Sequence, residues 1–162
     1  MTKARFSRLF WKGFLLVLVG VAGLYVLNFG FHLYRLVCVE IPHSYAGWAT
    51  GDLLVEYLDT HDGKWPQSWS ELRTARDSLV QKGGNIYYDF ERLPGIVKID
   101  WNAKPDLLTK AVLAGDKVKV VTQVDGSKLE ARWGEDTEPN QKIARYLIKG
   151  YSTSNTNTLL QK

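Results

Sequence analysis

Asp59, His61 and Asp62 crowd one imidazole and two carboxylates into four positions, a donor set that suits zinc. Asp52, Glu56 and Asp59 stand at i, i+4 and i+7, so a helix through them carries three carboxylates on one face. Paired carboxylates are the equipment of glycoside hydrolysis. Both patterns have plainer readings. His61-Asp62-Gly63 is a solvated turn at a helix end, and acids at this spacing decorate any exposed helix surface. No His-Glu-x-x-His, Gly-x-Ser-x-Gly, phosphate loop or Cys pair occurs. The expectation is therefore a protein that is not an enzyme, with no catalytic residues, no metal and no cofactor.

Contact chemistry is better represented. Trp48, Trp65, Trp69, Trp101 and Trp133 all lie past residue 36, and aromatic faces at a surface stack on sugar rings or fill a partner's pocket. Trp69, Trp101 and Trp133 fall on faces expected to point inward. Trp65 precedes Pro66 outside any periodic element, which makes Trp65 and Pro66 candidate contact residues. Asn28 and His32 are four apart, with Tyr25 just before, and polar side chains on one helix face can bond across helices in a membrane. Their position near one end of the apolar segment also lets both reach interfacial water.

That segment is the element on which the rest depends. Gly13 to Tyr34 is a run of 22 residues without Asp, Glu, Lys or Arg. As a helix it reaches about 33 Å, enough for a hydrocarbon core of roughly 30 Å. Lys3, Arg5, Arg8 and Lys12 precede it and Arg35 alone follows closely, so the N-terminus is expected in the cytoplasm. Trp11 suits the inner interface. A cleaved secretory signal is the competing reading, but its apolar region is shorter, and Phe31 to Ile41 offers no small-x-small site. The chain has 21 Lys and Arg against 17 Asp and Glu, yet five of the basic residues and none of the acids fall in the first 35 positions. The remainder is nearly neutral, without the basic footprint of a nucleic-acid partner. The membrane bilayer is the partner this charge distribution implies. A single cysteine, Cys38, excludes an internal disulfide.

Beyond the span, Pro42 marks a break, after which a helical pattern resumes and ends near His61-Asp62-Gly63. Ser68-Trp69-Ser70-Glu71 fits a capping box opening a helix to about Lys82, with Trp69, Leu72, Leu79 and Val80 inward and Gly83-Gly84 as its stop. Ile86 to Phe90 and Val97 to Trp101 alternate as strands, and Pro105 to Ala114 is a short helix. Lys117 to Val124 and Ser127 to Trp133 flank Asp125-Gly126 as a hairpin with a type I′ turn. Glu138-Pro139 opens a last helix with Ile143, Tyr146 and Leu147 inward, ending at Gly150. The expected fold is α+β, a transmembrane helix followed by helices on a small antiparallel sheet of about four strands. Its parts are a basic cytoplasmic flank (1–12), a transmembrane helix (13–35), an extracytoplasmic domain (36–151) and a disordered polar tail (152–162).

Over residues 1 to about 75 the order of elements resembles the type IV pilins and the pseudopilins of type II secretion. Lys12-Gly13-Phe14 looks like their processing site, in which a basic leader ends in Gly before a Phe that heads an apolar helix. Leu53 to Pro66 looks like the stretch where the pseudopilin spine helix gives way to a polar turn and an aromatic-Pro pair. That family carries a Glu five residues into the mature chain, where this sequence has Leu18. The resemblance implies cleavage between Gly13 and Phe14 and assembly with other envelope or membrane proteins, itself included. The function expected is that of a single-pass membrane protein acting in envelope protein assembly. The alternative is a membrane-tethered module that binds polysaccharide or peptide through exposed Trp side chains.

Overall fold

The computed structural model describes residues 3–83, 88–129 and 134–160. They form two compact units, Met1–Glu40 and Ile41–Lys162. The boundary falls five residues beyond the expected end of the transmembrane segment.

In the first unit, helix α1 (Lys3–Arg35) leads into a single π-helical turn, Leu36–Glu40. Every side chain from Trp11 to Arg35 is exposed, although nearly all are apolar. A helix that buries nothing against protein and carries no charge over its apolar length is suited to lipid. It is the one helix among the described residues long and apolar enough to cross a membrane. The π turn precedes Pro42, whose ring crowds the carbonyl of Cys38 and offers it no N–H. Arg35 Nε and Glu40 Oε1, five residues apart, meet at 3.0 Å across the widened turn. The break expected at Pro42 is thus a wide turn with no interruption of helical structure, and Pro42 sits in the first turn of α2 (Ile41–Thr60).

The second unit is α+β and mostly helical. After α2 come α3 (Trp69–Gln81), a 3-10 turn at Phe90–Gly95, β1 (Val97–Ile99), α4 (Pro105–Leu113), β2 (Val121–Gln123), a 3-10 turn at Glu135–Thr137, and α5 (Pro139–Leu160). β1 and β2 pair antiparallel, with Lys98 opposite Thr122. Among the described residues these are the only two strands, not the expected four. Phe90, placed in a strand by its alternation with Tyr88, opens the 3-10 turn instead, where Asp89 accepts from the Glu91 amide at 3.1 Å. Ile86 and Tyr87 lie outside the described residues, as does Trp133.

The hairpin reading also changes. Gly126 N–H donates to Gln123 C=O and Gln123 N–H to Ser127 C=O, both at 2.9 Å, closing a three-residue loop in which Gly126 alone has positive φ, +85°. That is a bulged hairpin end, not the two-residue type I′ turn. Lys128 and Leu129 do not extend it as a strand, and β2 takes β1 as its partner.

α2 lies at the centre of the core. Ala46, Ala49, Leu53, Leu54, Tyr57 and Leu58 are buried, between α3 on one flank and α5 on another. Small residues permit the close approach: a Cβ on Gly51 would lie 2.9 Å from Pro139 Cα. α3 buries Leu72 and Ala75, but Val80 is 55% exposed, against expectation. α5 begins at Pro139 as expected, buries Ile143 and Leu147, and runs past Gly150 to Leu160. The stretch expected as a disordered tail is helical to that point, because extending an established helix adds one backbone hydrogen bond per residue without a new nucleus.

Candidate functional site

Trp65 and Pro66 are buried, Trp65 to 6% exposure and Pro66 fully. The indole Nε1 donates to the Asp100 carbonyl at 2.9 Å, tying the α2–α3 connection to the end of β1. This corrects the expectation of a contact surface there: an aromatic-Pro pair outside a periodic element has no face from which burial can be read. Trp69 packs edge-on to Phe90 and Trp101, with centroids at 6.1 and 5.5 Å, and Arg73 and Arg76 lie over the Phe90 ring. Trp48 is half-buried, parallel to Tyr45 and beneath Lys142 Nζ at 5.3 Å.

The three acids of α2 do not form one exposed face. Glu56 is buried to 7% exposure at the α3 interface, where Oε1 accepts from Ser78 Oγ at 2.6 Å and Lys82 Nζ at 2.7 Å. Burial alone raises a carboxylate's pKa, but here the Lys82 and Ser78 hydrogen bonds and the Lys82 charge outweigh it and hold Glu56 below its ordinary value. Asp52 is bonded to Lys142 of α5, and Asp59 is exposed. Each carboxylate meets a different environment, so paired-carboxylate chemistry finds no shared cleft.

At the end of α2, Gly63 N–H donates back to Leu58 C=O at 2.8 Å with Asp62 at φ +55°, a Schellman closure. His61 stacks on Tyr57 at 3.9 Å, and its Nδ1 lies 3.0 Å from the Tyr57 carbonyl oxygen. Among the described residues no three His, Cys, Asp or Glu side chains converge on a metal position. The Tyr57 hydroxyl donates to Glu71 Oε2 at 2.9 Å, and burial together with that carboxylate pushes the phenol pKa up. Glu71 also accepts from the Gln67 amide, while the Ser68 hydroxyl pairs with Ser70 and caps no amide. Only the Glu half of the expected capping box operates, one residue earlier than the motif predicts.

The most constrained polar cluster is one that the sequence did not single out. Asn140, 7% exposed in the first turn of α5, accepts at Oδ1 from the amides of Val120 (2.8 Å) and Val121 (2.9 Å). Its Nδ2 donates to the Val121 carbonyl and to Glu138 Oε1, both at 2.9 Å. Glu138 Oε2 in turn accepts from the Gln141 amide at 2.7 Å, capping α5. One side chain thus occupies the outer edge of β2 as a neighbouring strand would. Beside it runs a groove of about 550 Å³ whose lining includes Lys117, Lys119, Thr122, Lys128 and Gln141. The only signal in the sequence was Asn one position after a helix-opening Pro, a common place for a polar residue with no special duty.

In the first unit, Asn28 and His32 are exposed on α1, one turn apart, and His32 touches Phe31 edge-on. Gly13 and Phe14 lie within α1, exposed, and Cys38 is an exposed free thiol in the π turn. No family model, curated protein or solved structure matches this chain.

Proposed function

We propose that this chain is a single-pass membrane protein whose second unit works outside the cytoplasm through contacts with other envelope or membrane proteins. The observation that carries this reading is the contrast between the two units. α1 exposes every apolar side chain it has from Trp11 to Tyr34, whereas the second unit has its own buried core and no buried side-chain polar atom without a partner among the described residues. One part needs lipid, and the other needs only water. The flanking charges favour a cytoplasmic N-terminus. Asn28 and His32 supply polar contacts for a second helix, and pilin-like assembly with cleavage before Phe14 belongs to the same reading.

Cys38 provides the test, because it is the sole thiol and is exposed just past the apolar segment. A membrane-impermeant maleimide should label it in intact cells. Labelling only after permeabilisation would reverse the orientation. Intact-mass measurement of the purified protein addresses processing: a chain beginning at Phe14 supports it, and a retained leader removes it.

A further inference from the structure

We infer that the groove between β2 and the first turn of α5 binds an acidic polysaccharide, its uronate carboxylates held by Lys117, Lys119 and Lys128. This rests on the outward placement of the second unit.

The three lysines are exposed, and none makes an ion pair among the described residues. Val118 and Val120 pack on the core while Lys117 and Lys119 are exposed and both line the groove. Lys128 enters the rim just beyond the Val124–Gly126 loop. Among the described residues two acids also line the groove, Asp116 and Glu138. Glu138 is buried, with one oxygen on the Asn140 amide and the other on the N-terminal turn of α5, whose dipole offsets its charge. Cationic character therefore dominates the accessible rim. At about 550 Å³ the groove has the size of a ligand site, and Thr122 and Gln141 offer polar groups for sugar hydroxyls.

Other polymers fit less well. An extended peptide gains main-chain affinity by adding a strand to an open edge. Here the edge is closed: Val121 N–H and C=O are both taken by Asn140, and the Gln123 pair by the loop. Among the described residues no aromatic side chain lines the groove, so those residues offer neither base stacking nor neutral-sugar stacking. Charge is what remains, paired with hydroxyl recognition.

Fluorescence anisotropy of labelled oligogalacturonate with the full-length protein in detergent tests this. Saturable binding is expected, weakening as salt rises and about tenfold weaker in Lys117→Gln/Lys119→Gln/Lys128→Gln at an unchanged melting temperature. If that variant unfolds, Lys128→Glu alone must still weaken binding. Absence of saturable binding, equal binding by the folded variant, or equal binding of neutral dextran or poly-glutamate overturns the inference. The Cys38 labelling outcome is independent of this assay, so loss of sugar binding with Cys38 outside defeats the groove reading alone.

Discussion

Asn140 carries more of the fold than its place on the helix suggests. Truncation to Ala removes the partners of two buried amides, one carbonyl and one buried carboxylate oxygen together. Each orphaned group costs about 1–3 kcal/mol, so Asn140→Ala should lower stability by at least about 3 kcal/mol in urea unfolding. A loss within the range of an ordinary surface substitution would show that water replaces the clamp. Glu56 makes a different prediction, through pH. Its folded pKa lies below the ordinary 4.5, so it contributes stability above that value which is lost as pH falls through the depressed one. Thermal melts of the wild type should therefore lose more stability below about pH 4.5 than those of Glu56→Gln, with the two curves converging in acid. Trp65 belongs beside these residues as a structural contact: its indole hydrogen bond joins two segments 35 positions apart.

Among the elements, α2 decides the architecture because it is covered on more than one side. Acids at i, i+4 and i+7 look like a solvent face only if a helix has a single buried stripe. With α3 on one flank and α5 on another, Glu56 and Asp52 fall at separate interfaces and meet Lys82 and Lys142. Gly51 sets the α2–α5 spacing. Gly51→Ala drives a methyl to 2.9 Å from the Pro139 backbone and should cost about 1–3 kcal/mol. Gly150 lies in α5 with open space around it, so Gly150→Ala should instead stabilise by about 0.5–1 kcal/mol. Chemical denaturation of the two variants tests both signs, and equal effects would refute the packing difference. The sheet is small because Asn140 fills the β2 edge that the expected hairpin strand would have used.

At the scale of the whole molecule, two units with opposite solvent demands are joined in one chain. Residues 41–162 alone should remain soluble without detergent and keep a cooperative melt, since among the described residues the buried core runs from Ala46 to Leu147. Aggregation of that fragment, or a non-cooperative melt, would show that the units depend on each other. The apolar segment, the three helix starts at or near Trp69, Pro105 and Pro139, and the loop at Asp125-Gly126 were legible in the sequence, whereas the break expected at Ile41–His43 is helical. Each is governed by local chemistry: unbroken apolarity, proline at a first turn, glycine at positive φ. The strand count, the burial of Trp65, Pro66 and Glu56, the exposure of Val80 and the role of Asn140 were not. They depend on which surfaces meet, and a side chain's neighbours across 14 to 90 residues of chain are chosen by packing, which no local pattern encodes.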